Sequence, residues 1–469
     1  MKKLLYIGTI LLCTACNDFV DVIPKGNTIP ETVDDLAKMM NNGVRTTDGK
    51  FTDVSYTLSD KVVLYSDDYT VTEDPTSSAY NRIKNNKSIM NVCSWADYVY
   101  NNSEDDPDWN GLYKSNYVVN YVLDKIDQVK EGISAKRSEV EGQALVHRAM
   151  NYFLLVNLYG KQYTATTASK DPGIPLILES NINKQYPRAT VAKVYEQILT
   201  DLNKAVSLLE TDMPKYSHIP GRAAAYALRA RVYLWQQNYN QAYSDASEAL
   251  KIRNELIDYN TLSLSYPEDG PVAGVENYET VPSLNKEELY SRSYEDMFIS
   301  DIMYAPGMQS VIDEENDLRY KIFIGTFPGR NYFTIFSRIH HSGITTAEVW
   351  LMKAESALRK TQSDISEAIE ALDYVRKHRY LKTTYKPTEI SDKKLLLTEI
   401  LTERRRETIF TEMPFLDRKR LNADPETERP MTRTLFGKSY TLPVGDPHYQ
   451  LAIPLNVIDL NSQLIQNER

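Results

Sequence analysis

Cysteine is scarce in this chain: Cys13, Cys16 and Cys93 are the only three among 469 residues. That excludes a fold held by a disulfide framework, so stability must come from a packed core. An excess of basic charge is also missing. The formal net charge is −10, which argues against a nucleic-acid surface, since such a surface needs clustered Lys and Arg. Long hydrophobic runs are missing too: the one near the start, 4–12, is too short to cross a bilayer as a helix. Nothing in the chain reads as HExxH, GxSxG or a phosphate-binding loop, and no Cys and His stand at ligand spacing. His340 and His341 are adjacent, and neighbouring residues rarely chelate one ion together. The run from Glu104 to Asp108 lacks the Gly and terminal Glu of a calcium loop and reads as a solvated turn. It leaves weak structural calcium as the only cofactor to consider; otherwise none is expected.

What is present at the start is a leader. Lys2 and Lys3 precede the apolar run, which ends in Cys13-Thr14-Ala15-Cys16. Small residues before a cysteine resemble a bacterial lipoprotein cleavage box. Residues 1–15 are then a signal peptide, Cys16 is the lipidated first residue, and 16–31 is a tether. Cys93 remains as a buried small apolar residue.

The rest, 32–469, is read as one domain whose rhythm is helical. Between 221 and 250, Ala223, Ala227, Ala230 and Leu234 share one face, and Ala242, Ala246 and Ala249 share another. Small faces on both sides of a tight turn let two helices approach closely. The pattern resembles a tetratricopeptide unit. Helices are expected at 32–41, 108–129, 139–160, 190–210, 345–359, 364–379 and 395–410. A strand-like piece is expected at 451–454. The fold class is therefore mostly α, with about four tetratricopeptide-like helix pairs. The scaffold occupies 108–250 and 345–411, interrupted by irregular excursions at 43–107, 161–189 and 251–343. Binding residues concentrate on such loops.

The motifs, taken in order, resemble the SusD/RagB-like outer-membrane lipoproteins of Bacteroidetes. Cys16 to Pro24 resembles the segment after the lipid cysteine. Trp109-Asn-Gly-Leu-Tyr113 with Asn120, and Glu141 to Gly160 with Arg148 and Ala149, follow in family order. So do Gly173-Ile-Pro175, Pro187-Arg188 and Tyr195 with Asp201. Ala347-Glu348, Ala354-Glu355, Glu403-Arg-Arg-Arg-Glu407, Asp417 with Arg420, Ile453-Pro454 and Gln466-Asn467 complete the set. Pro414 departs from it, standing where the family usually has a basic residue; a local change is expected there.

The resemblance implies a lipid-anchored protein of the outer-membrane surface and not an enzyme. It would capture an oligosaccharide and deliver it to a SusC-like TonB-dependent transporter, with loops forming the ligand face. Alternatives are a peptide-binding member of the family, an interaction scaffold without a small ligand, and a surface glycosidase.

Sugar rings take flat aromatic faces together with Asn, Asp, Arg or Gln. Trp235, Trp350 and Trp109 lie on helices and are expected in the core. Trp95, with Tyr98 and Asn101 after it, is the first candidate for ligand contact; the alternative for Trp95 is a loop anchor. Tyr294, Tyr304 and Tyr320 are the candidates in the third excursion.

Overall fold

The computed structural model describes residues 30–41, 54, 58–75, 78–129, 134–265, 274–276, 284–292, 302–327, 330–333, 343–409 and 411–469. The chain starts with α1 (Val33–Met40), β1 (Tyr69–Val71), α2 (Ser78–Asn85), α3 (Lys87–Cys93), α4 (Pro107–Lys125) and α5 (Ser134–Tyr159). Strands β2 (Pro172–Pro175) and β3 (Arg188–Thr190) lead into α6 (Val191–Leu208), α7 (Arg222–Trp235) and α8 (Tyr239–Ile252). Short pieces follow: β4 (Ser263–Ser265), β5 (Gly274–Glu276), β6 (Glu288–Tyr290), β7 (Ile302–Tyr304), α9 (Pro306–Gln309), α10 (Leu318–Phe323), β8 (Ile324–Phe327), β9 (Arg330–Phe333) and β10 (Ile344–Thr345). The last part holds α11 (Thr346–Arg359), α12 (Ile365–Arg376), α13 (Lys393–Glu407), α14 (Met413–Leu421), β11 (Met431–Leu435), β12 (Lys438–Leu442) and α15 (Leu455–Leu460).

The fold is mostly α, as the periodicity predicts. Residues with short polar side chains set the helix starts. Thr32, Asp106, Thr190, Asn238, Thr345, Asp364 and Asp392 each accept a hydrogen bond from a backbone N–H of the first turn. Helix α5 is the centre. From Ala144 to Tyr159 every side chain is buried, because α4, α6 and α7 pack around it. The alanine faces of α7 and α8 are fully buried against each other, as their small side chains predict. A second cluster joins α11, α12 and α13.

Three expectations need correction. The first excursion is not helix-free: α2 and α3 lie within it, too short to carry a visible period. Residues 451–454 form no strand; the Ile453 backbone pairs instead with the side-chain amide of Gln466. The turn at 104–108 is only partly solvated, since Asp106 and Asp108 are buried. Asp106 caps α4 and accepts from the Tyr159 hydroxyl, while Asp108 accepts from the Ser59 hydroxyl at 2.8 Å. Glu104 and Asp105 are engaged separately by Asn101 and Asn456. Among the described residues no three His, Cys, Asp or Glu side chains come together to hold a metal. Among the same residues no helix is long and apolar enough to cross a membrane.

Candidate ligand-binding site

The first and third excursions meet in one sheet, ordered β1-β7-β9-β8. Tyr69 lies opposite Tyr304, and Met303 opposite Tyr332. Two segments far apart in sequence are thereby fixed side by side, with Asp67 and Asp68 just ahead of β1. The Asp68 carbonyl accepts the Ala305 N–H at 2.8 Å, which pins the start of α9 to this edge.

The third wall is the hairpin β11–β12. Its burial alternates: Met431, Arg433 and Leu435 face in, while Thr432 and Thr434 face out. The turn residues Phe436 and Gly437 both have positive φ, 48° and 75°, as a two-residue turn that matches strand twist requires. In this register Thr432 pairs with Thr441 and Thr434 with Ser439. The outer face is thus a ladder of four hydroxyls. Below it, Arg433 donates to the carbonyls of Cys93 (2.8 Å), Leu64 (2.7 Å) and Ser66, holding the hairpin against the first excursion.

Between these walls lies an open cleft of about 740 Å³, lined by Thr70, Glu73, Gly307, Tyr440 and the hydroxyl ladder. Its floor carries two ion pairs. Arg429 grips both oxygens of Asp67 at 2.7 and 3.1 Å, and Arg405 Nε donates to Asp68 at 2.7 Å. Burial pushes the Asp67 carboxyl up, but Arg429 and Arg405 pull it down further, so it stays ionised below the usual carboxylate range.

The predicted site residues do not all come to this cleft. Trp95 is 8% exposed, with φ 50°. Its indole N–H donates to the Tyr65 carbonyl at 2.9 Å, and the Arg433 guanidinium stands 5.1 Å from its ring centre. It occupies the anchoring position. A positive φ at so bulky a residue is costly and is maintained by these surroundings. Tyr98 is 37% exposed, beside the 451–455 segment rather than the cleft. Asn101 is exposed, and both its backbone and its side-chain N–H groups bind Glu104, shaping a turn. Tyr304 contributes its backbone to β7. Tyr320 is half-buried on α10, packed against the main core. Tyr294 and Cys16 lie outside the described residues, as do His340 and His341. Trp109 and Trp235 are buried as expected, and Trp350 is half-buried. Cys93 is fully buried. Sequence reading missed the hairpin, although the alternation around Phe436-Gly437 was visible in MTRTLFGKSYTL.

Most charged residues of the family motifs pair with one another or with Arg231 and Arg319. Arg148 binds Asp201 through two bonds of 2.8 Å. Glu348 takes Arg231 and Arg404; Glu355 takes Arg420 at 2.8 Å through both oxygens; Asp417 links Arg404 and Arg420. Glu403 and Glu407 hold Arg319. Arg188 ties the carbonyls of Gly173 and Ile465 to the Asn467 side chain. These motifs build the scaffold. Pro414 sits in the first turn of α14, where proline is tolerated.

The scaffold is mostly helical and presents a polar cleft built from two excursions and a hairpin. The family model described as starch-binding associating with outer membrane, of the SusD-like kind, matches residues 18–234. The SusD family model matches 338–469. The chain belongs to the SusD/RagB-like family, whose members bind ligands and are not enzymes. Its fold is similar to that of a SusD superfamily protein from Bacteroides thetaiotaomicron VPI-5482: TM-score 0.73, 20% identity, covering 93% of this chain and 100% of that one. It is also similar to a putative sugar binding protein from Bacteroides vulgatus ATCC 8482: TM-score 0.71, 20% identity, covering 94% and 99%. A SusD superfamily protein from Bacteroides fragilis gives TM-score 0.71 at 19% identity, covering 93% and 100%. No relative among curated proteins matches the chain.

Proposed function

We propose that this protein captures an oligosaccharide in the cleft between β1, α9 and the β11–β12 hairpin. It then passes the glycan to a SusC-like TonB-dependent transporter of the outer membrane. A lipid on Cys16 holds it at the cell surface.

The observation that carries this reading is the hydroxyl ladder beside a cleft of about 740 Å³. Sugar hydroxyls both donate and accept, and so do Thr and Ser hydroxyls; a row of them, with the ionised Asp67 and Arg429 at its floor, can match a saccharide at several points. Tyr440 adds an aromatic ring to the cleft wall. Two proteins of similar fold, a putative sugar binding protein and a SusD-like carbohydrate binding protein, point the same way. Tyr304, on β7 beside β1, and Tyr294 are proposed as further contacts. Tyr98, Asn101 and Tyr320 are proposed as outlying ones.

The test is calorimetric titration of the protein without its lipid cysteine against soluble glycans and a peptide mixture. One glycan class should bind without turnover. Heat from peptides alone would move the protein to the peptide-binding alternative; silence would leave the interaction scaffold.

A further inference from the structure

On the far side of the Asp67–Arg429 and Asp68–Arg405 pairs lies a second cavity, of about 300 Å³. It shares Arg405 and Arg429 with the cleft, so the two ion pairs form the partition between them. This volume is at the small end of the range for small-molecule pockets. One wall is apolar, from Leu401, Pro414 and Leu421; another carries the Thr398 and Thr402 hydroxyls.

Four arginines line it. Arg404 is paired with Glu348 and Asp417, Arg405 with Asp68, and Arg429 with Asp67. Arg418 differs. Its Nη1 donates to the Thr427 carbonyl at 2.9 Å and to Asn422 Oδ1 at 3.4 Å, and among the described residues it meets no carboxylate. Burial, then the nearby Arg429 guanidinium, lower its pKa to about 10, against the more distant pull of Asp67 and Asp417. A half-buried guanidinium beside another cation gains from an anion that joins them. Glu426 and Glu428 stand exposed at the rim, where water and salt screen them.

We infer that Arg418 binds the carboxylate of a sugar ring in this cavity, so that the captured glycan contains a uronic acid. The guanidinium fork fits a carboxylate through two parallel bonds, the apolar wall takes the ring's C–H face, and the threonines meet its hydroxyls. The inference rests on the cleft being a glycan site.

The test uses the whole mature protein without its lipid cysteine. It is titrated with oligosaccharides of galacturonate, glucuronate and mannuronate, with their methyl esters, and with neutral oligosaccharides. At least one uronate series should bind tenfold or more tightly than its own ester. R418Q should abolish that difference, and R418K should restore it in part. The ester comparison on unaltered protein holds even where R418Q folds poorly. Equal binding of acid and ester, or binding of neutral glycans alone, overturns the inference and leaves the cleft reading standing. Silence toward every glycan overturns both.

Discussion

Arg418 and Arg420 stand two residues apart on α14 and live in opposite worlds. Arg420 is fully enclosed, gripped by both oxygens of Glu355 and by Asp417. Arg418 lines a cavity and, among the described residues, hydrogen-bonds neutral oxygens. The same contrast separates two larger regions. Around α11, α13 and α14 most buried charges are matched, acid to base, within hydrogen-bond distance; Lys419, held by the carbonyls of Asn157 and Gly160, is an exception. At the cleft and its neighbouring cavity four hydroxyls stand exposed and Arg418 hydrogen-bonds neutral oxygens among the described residues. Matched charges hold a shape; groups left unmatched at a surface are the ones a ligand can use.

Breaking the matched region should have the largest effect. Glu355→Gln leaves Arg420 and Arg359 without their shared carboxylate and should destabilise the fold by roughly 3–5 kcal/mol, read by urea unfolding. Burial raises the Glu355 pKa, but Arg420 and its neighbours bring it down to about 2. Its stabilisation is therefore complete above the ordinary carboxylate pKa and fades as pH falls from about 4.5 toward 2, a slope the variant should lose.

Asp108→Asn comes next, with the opposite sign. Burial, then the Asp106 carboxylate, raises Asp108 to about 7, against the stabilising pull of Ser59 and Lys61. Asp106 shifts in the same direction, so the two titrate as a pair. Between about pH 4 and 7 the folded state keeps a proton that the unfolded chain has lost, so this pair lowers stability as pH rises. The variant should flatten that trend by ~3 kcal/mol between pH 5 and 8, at about 1.4 kcal/mol per pKa unit, read by thermal melts across pH.

In the unmatched region the effects on stability should shrink and those on binding should grow. Replacing Thr432, Thr434, Ser439 and Thr441 together by Ala should change stability by no more than about 1 kcal/mol, since all four are exposed. Glycan affinity should fall tenfold or more. Trp95→Phe should cost about 1 kcal/mol through loss of the bond to the Tyr65 carbonyl, with affinity unchanged.

The scaffold was legible because helices announce themselves locally. The alanine spacing of α7 and α8, the caps at Thr32 and Thr190, and the stripe on α5 are all short-range signals. The pairing of Glu355 with Arg420 or Arg148 with Asp201 was not, although every one of those residues belongs to a motif; partners 53 or 65 positions apart leave no spacing rule. The site was half legible. The first and third excursions do converge, in one sheet. But which ring faces solvent depends on what packs on it. Trp95 sits in a loop and is covered by Arg433, which comes from the hairpin 338 positions later. The hairpin itself was hidden by its surroundings of Pro and Gly, though its alternation was present.

The measurement that bears most directly on this account is a calorimetric comparison of three proteins against the same glycan panel: the unaltered chain, the four-residue hairpin variant and Trp95→Phe. The account predicts that a glycan binds the unaltered chain and Trp95→Phe alike and binds the hairpin variant at least tenfold more weakly. A hairpin variant that keeps full affinity while Trp95→Phe loses it would contradict the placement of the site, and would return it to the loop around Trp95.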